Sequence, residues 1–169
     1  ERQVGHLARL IDDLLDVSRI NQGKISLALE PVELEGLLRH ALQTSRPVID
    51  SRSHEAELLV PNEPLWVSAD PVRLTQVVCN LLNNAAKFTD GGAITVRAQL
   101  VDAARADALL RFEVSDTGIG IAPEDQNRIF NAFEQADGSM TRTYGGSGLE
   151  LAISKRLVDM MGGTIGVDS

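Results

Sequence analysis

Asn80-Leu81-Leu82-Asn83-Asn84-Ala85-Ala86-Lys87-Phe88 is the stretch on which the reading of this chain turns. It closes a helical segment that opens at Asp70-Pro71, where a carboxylate can cap free N–H groups and proline suits the first helical position. Within the helix, predicted over 71–88, Asn80, Asn84 and Lys87 fall at i, i+4 and i+7 and so share one face. Val77, Val78, Leu81 and Leu82 spread over the other faces. Two carboxamides and an amine on an otherwise apolar helix are either a solvated polar stripe or a site for a metal and phosphates. Amide oxygens are hard ligands suited to Mg²⁺, which keeps several waters and takes few protein ligands.

Two glycine-rich stretches follow in order. Asp116-Thr117-Gly118-Ile119-Gly120 comes after the apolar strand Phe112-Glu113-Val114. A carboxylate at a strand end can accept from the exocyclic amine of adenine, where guanine presents a carbonyl. Gly118 and Gly120 would let the backbone pass close to the base. Taken alone, this stretch is an ordinary Asp–Gly turn. Gly145-Gly146-Ser147-Gly148-Leu149 is a glycine turn opening a helix, where free N–H groups and the helix dipole favour phosphate. Each stretch alone is a weak signal; the three together describe a nucleotide pocket.

Their order and spacing resemble the ATP-binding domain of sensor histidine kinases, within the wider group that includes Hsp90, gyrase B and MutL. The resemblance covers residues 70–167, and Phe130-Asn131-Ala132-Phe133-Glu134-Gln135 looks like the family's F box. It implies an α+β fold: a two-layer α/β sandwich with a mixed sheet of about five strands and helices on one face, preceded by an N-terminal helix. It implies ATP and Mg²⁺ as cofactors. The asparagine matching Asn84 binds the metal in that family, with Asn80 beside it. Lys87 approaches the phosphates and, with Asn80, is the expected catalytic pair. Phe88 matches the aromatic that lines the adenine pocket, though plain core serves equally well. Asp116, Gly118, Gly120, Ile121, Phe133, Thr143, Gly146, Ser147, Gly148 and Leu149 complete the implied nucleotide-binding set.

Two departures bear on mechanism. ATPase members of the wider group carry a glutamate one turn before the metal-binding asparagine. Here that position is Asn80, which cannot serve as a general base, so transfer to another group is expected rather than hydrolysis. The family's Gly-x-Gly-Leu-Gly-Leu reads here Gly146-Ser147-Gly148-Leu149-Glu150-Leu151. Glu150 either faces the phosphates, where two like charges at ~4 Å repel by about 4 kcal/mol at an effective dielectric near 20, or turns outward as ordinary first-turn dipole complementarity. Two alternatives therefore stand beside the kinase: a degenerate nucleotide-binding or scaffold module weakened by Glu150, and an Hsp90/MutL-type clamp.

Outward from these boxes, strands are expected at 24–30, 57–60, 66–69, 93–101, 109–115 and 164–167, with 93–101 and 109–115 in a hairpin. Helices are expected at 1–22, 33–51 (kinked or divided at Pro47), from Pro123, and over 147–161, with a lid at 134–146. Val4, Leu7, Ile11 and Leu14 form an apolar stripe on the first helix that calls for a partner, either the chain's own core or a second helix. Residues 12–19 look like the end of the second dimerisation helix of histidine kinases. The division is thus 1–22, the C-terminal part of a dimerisation and phosphoacceptor hairpin, and 23–169, an ATP-binding catalytic domain that stops short of the family's further Gly-rich strand. None of His6, His40 and His54 has the acceptor context, so the phosphorylated histidine is expected upstream of residue 1. The implied partners are a phosphoacceptor helix of the same or a partner chain, a response-regulator receiver domain, and a second copy in a homodimer.

Composition suits one well-packed domain plus an appendage. The chain has 169 residues, 43% of them hydrophobic, and a net charge of −8. An acidic surface argues against nucleic acid as a partner. No apolar run approaches the ~18 residues of a membrane span, so no membrane contact is expected and the location reads as cytoplasmic, with anchoring of the parent left to regions outside this sequence. The single Cys79 lies in a helical apolar pattern and reads as a buried, inert thiol.

Overall fold

The computed structural model describes residues 11, 14–19, 22, 25–102, 109–132 and 148–169. They fall into two compact units, one of residues 28–120 and one that combines 1–27 with 121–169.

The unit of residues 28–120 carries β1 (Glu30–Glu33), α1 (Leu34–Asp50), β2 (Glu55–Leu59), β3 (Trp66–Ala69), α2 (Pro71–Phe88), β4 (Ala93–Asp102) and β5 (Leu109–Asp116). β2, β4 and β5 form a mixed sheet in that order. β2 runs parallel to β4 and β5 antiparallel to it, so Val96 stands opposite both Leu58 and Val114. β1 and β3 form a separate antiparallel pair, with Val32 opposite Val67. Along β4 the side chains alternate: Ile94, Val96 and Ala98 are buried, and Thr95, Arg97 and Gln99 are not. The buried face takes the helices, as expected for a two-layer arrangement. α1 contributes Leu34, Leu37, Leu38, Ala41 and Ile49, and α2 contributes Leu74, Val77, Val78, Leu82, Ala85 and Ala86. Leu38, Leu82, Ile94 and Val96 have no accessible surface; burial of such a side chain is worth roughly 1.5–3 kcal/mol.

Carboxylates start both long helices. Asp70 Oδ1 accepts from the N–H groups of Val72 and Arg73, each at 3.0 Å, and its Oδ2 accepts from Ala28 N–H at 3.0 Å. Glu33 caps α1 through the N–H groups of Glu35 (3.2 Å) and Gly36 (2.8 Å). A Cβ at Gly36 would stand 2.8 Å from Glu33 Oε2, so this cap leaves little room for a side chain there.

The structure corrects three expectations. Residues 25–29 pair with no strand, and β1 lies later, across Pro31. The missing N–H of proline is tolerated because β1 is an edge strand. Of the two outcomes expected at Pro47, a kink or a division, division does not occur: the 17 residues of α1 run through it, and proline removes only the bond to the carbonyl one turn earlier, on the exposed Gln43. Residues 164–167 form no strand among the described residues, where no neighbouring strand offers a ladder.

In the second unit, residues 14–19 are helical, with Leu14 and Leu15 about half exposed. α3 (Pro123–Gln126) is a single turn, and α4 (Glu150–Met160) buries Ile153, Ser154, Leu157 and Val158. α4 begins later than expected because Gly148, at φ +68°, stands outside helical geometry. Val4, His6, Leu7 and the whole proposed lid lie outside the described residues. Among the described residues no helix is long and apolar enough to cross a membrane.

Candidate functional site

The polar face of α2 is not a solvated stripe. Asn80, Asn84, Lys87 and Phe88 are each half-buried. Lys87 Nζ lies 4.7 Å from the centroid of the Phe88 ring, a favourable cation–π distance. Asn84 makes no side-chain hydrogen bond among the described residues, which leaves its carboxamide oxygen available to a ligand. Among the described residues no cluster of three His, Cys, Asp or Glu side chains could hold a metal by itself. A hard cation here would rest on the carboxamides and on phosphate oxygens, which suits Mg²⁺.

The glycine loop after β5 is stitched to the end of this helix. Ile119 N–H donates to Phe88 O at 3.3 Å. Asp116 Oδ1 accepts from Gly118 N–H at 2.8 Å and from the Thr89 hydroxyl at 3.4 Å. Its other oxygen, Oδ2, accepts from none of the described residues. The two glycines have different reasons to be glycine. A Cβ at Gly118 would stand 2.5 Å from Phe88 O and 2.6 Å from Asp116 Oδ1, whereas Gly120 has φ +72°. The expectation that both let the backbone pass close to a base did not include this contact with the protein's own backbone.

Three residues outside the expected set help to hold Asp116. Thr89 is buried at the end of α2 and supplies the hydroxyl just described. Thr117 exchanges main-chain and side-chain bonds with Ala93: its N–H donates to Ala93 O at 3.2 Å, and its Oγ1 accepts from Ala93 N–H at 3.1 Å. Gly92 fills the corner between them, since a Cβ there would stand 2.2 Å from Thr117 Oγ1. Thr117 within the second motif and Thr89 directly after the first were the available signal.

The second unit holds the rest of the expected set. Ile121 N–H donates to Ser169 Oγ at 2.8 Å, and Gln126 Nε2 donates to Ile121 O at 3.1 Å and Ser169 O at 3.2 Å. Leu149 is the buried N-cap of α4 and offers no side-chain acceptor, so the first-turn amides gain no cap from it. Glu150 is half-buried as the first residue of α4, and its carbonyl accepts from Ser154 Oγ at 2.7 Å. Phe133, Thr143, Gly146 and Ser147 lie outside the described residues. Cys79, next to Asn80, is half-buried, and burial pushes its thiol up, which keeps it protonated and unreactive.

Residues 69–169 match the family model described as histidine kinase-, DNA gyrase B- and HSP90-like ATPase. The chain is 45% identical to the sensor protein GacS of Pseudomonas syringae pv. syringae over its whole length, and spans 19% of that protein. The fold is similar to that of full-length ShkA, solved in complex with AMPPNP: TM-score 0.83 and 39% identity, over 97% of this chain and 33% of that one. The mycobacterial sensor histidine kinase MprB matches with a TM-score of 0.69 and 31% identity, over 83% of this chain and 85% of that one. These kinases favour neither a degenerate scaffold nor a clamp ATPase. A carboxylate braced at a strand end, a glycine packed on the last carbonyl of a half-buried asparagine helix, and these relatives converge on one conclusion: the chain belongs to the histidine kinase-, DNA gyrase B- and HSP90-like ATPase family, on its sensor histidine kinase side.

Proposed function

We propose that this domain binds Mg-ATP through the Asn80–Asn84–Lys87–Phe88 face of α2 and the Asp116–Gly120 loop, and that it passes the γ-phosphoryl group to a histidine outside residues 1–169. Asp116 Oδ2 accepts from the adenine amine. Asn84, with Asn80 beside it, holds the magnesium, and Lys87 and the amides of Gly146, Ser147, Gly148 and Leu149 take phosphate charge. Phe88, Gly118, Gly120, Ile121, Phe133 and Thr143 complete the nucleotide contacts. Bound Mg²⁺ supplies neutralisation of charge on the phosphate oxygens. The chain's own contribution is positioning and electrostatic stabilisation. Asn80 accepts no proton, so water is not activated and transfer prevails over hydrolysis.

The observation that carries this reading is the fixed carboxylate of Asp116, with one oxygen held by Gly118 N–H and Thr89 and the other unengaged among the described residues. The AMPPNP complex of ShkA adds support. The phosphorylated histidine then serves an aspartate of a response-regulator receiver, and residues 1–22 contribute to a homodimer. In calorimetry with Mg²⁺, ATP is expected to bind and GTP to bind at least tenfold more weakly, with Asp116→Asn erasing the difference. Equal affinity of the unaltered chain for ATP and GTP refutes the adenine assignment.

A further inference from the structure

We propose that His54 and Arg52, in the turn between α1 and β2, are positioning residues for the nucleotide face of α2. The inference rests on the reading of that face just given. The last four carbonyls of a helix have no partner within it. In α2 each finds one outside. Ala85 O accepts from Thr89 N–H at 3.1 Å and Phe88 O from Ile119 N–H at 3.3 Å. Ala86 O accepts from His54 Nε2 at 2.9 Å, and Lys87 O from Arg52 Nη1 at 2.9 Å. One short turn thus supplies two of the four bonds, and it grips the main chain at Ala86 and Lys87.

The turn has a conformation suited to that task. Ser53 N–H donates to Asp50 O at 3.0 Å and His54 N–H to Ile49 O at 3.2 Å, the paired bonds of a Schellman closure. Ser53 occupies the left-handed position at φ +57°, where glycine is usual, and it is the one described residue other than glycine with positive φ. Such a conformation persists only where the surroundings over-determine it. Here it reverses the chain so that the ring of His54, 6% exposed, enters the interior.

The ring is bonded on both sides. Gly92 N–H donates to His54 Nδ1 at 3.3 Å. Ala86 O can only accept and Gly92 N–H can only donate, so the two partners assign the donor role to Nε2 and the acceptor role to Nδ1. Gly92 in turn abuts Thr117 and Thr89, whose hydroxyl reaches Asp116. His54 therefore ties the last turn of α2 to the strand start that backs the adenine carboxylate. An apolar replacement would leave a buried carbonyl and an N–H unpaired, and the helix end would be free to shift.

The test is ATP affinity in Mg²⁺ by calorimetry, alongside circular dichroism and unfolding temperature. His54→Leu is expected to weaken ATP binding about tenfold, and His54→Gln, whose amide offers an N–H donor group and an acceptor oxygen, to recover to within about threefold of the unaltered chain. Arg52→Ala, on an exposed side chain, is expected to weaken binding about threefold with native circular dichroism. A folded His54→Leu with unaltered ATP affinity overturns the proposal, as does a His54→Gln no better than His54→Leu. If His54→Leu does not fold, Arg52→Ala decides: unaltered affinity overturns the proposal, and weakened affinity in a native fold supports it. An unaltered chain that binds no ATP refutes the nucleotide reading itself, whereas binding that ignores both residues refutes only their role.

Discussion

At the scale of single residues, most side chains around Asp116 act by leaving no alternative. Gly118 has the last carbonyl of α2 on one side and the Asp116 carboxylate on the other. Gly118→Ala would force the loop off Phe88 O, breaking the Ile119 bond and tilting Asp116. Such overpacking costs roughly 1–3 kcal/mol, and ATP affinity is expected to fall at least tenfold, since Asp116 loses its aim. Calorimetry with ATP, read against the unfolding temperature, checks this; an alanine variant that binds ATP normally would show that the loop adapts. The sequence marked Gly118 and Asp116 as partners of a base. It did not mark Thr89 or His54, because neither sits in a motif and each acts on a group distant along the chain.

At the scale of elements, α2 is fastened at both ends, and the two ends differ in legibility. Its start follows from Asp70-Pro71, since capping is a local rule. Burial raises the Asp70 carboxyl, but the N–H donors of Arg73, Ala28 and Val72, with the Arg73 charge, outweigh it and hold the group below the ordinary carboxylate range. The sign follows by linkage: a depressed folded pKa contributes stability that is present above the unfolded value and lost as pH falls through the folded one. Asp70→Ala is therefore expected to cost about 0.5–2 kcal/mol at neutral pH, with the difference from the unaltered chain shrinking below about pH 4. Denaturant titrations at several pH values measure it, and a penalty that persists unchanged into acid would show that charge plays no part. Where α2 ends, three of the four carbonyl partners come from the α1–β2 turn and the loop after β5, which no local pattern announces.

At the scale of the whole chain, the first helix points beyond itself. Ile11 is 50% exposed, Leu14 55% and Leu15 47%, a half-open apolar stripe among the described residues. If residues 1–22 form part of a dimerisation hairpin, burying such side chains on a second copy is worth roughly 1.5–3 kcal/mol each before entropy is subtracted. Light scattering across a concentration series is expected to show self-association that Leu14→Asp abolishes; a chain that stays monomeric at every concentration refutes the dimer role. Local signals alone placed α1, α2, β3 and the β4–β5 hairpin, because apolar period, the Asp-Pro cap and strand alternation are written within a few residues of where they act. The three boxes that mark the family were legible for the same reason, since their glycines, amides and carboxylate stand at set spacings along the chain. Tertiary structure alone decided that β1 pairs across Pro31, that residues 164–167 form no strand, and that a buried histidine braces the end of α2. Each of these depends on which donors and acceptors a remote segment brings within bonding distance, and only the folded chain sets that.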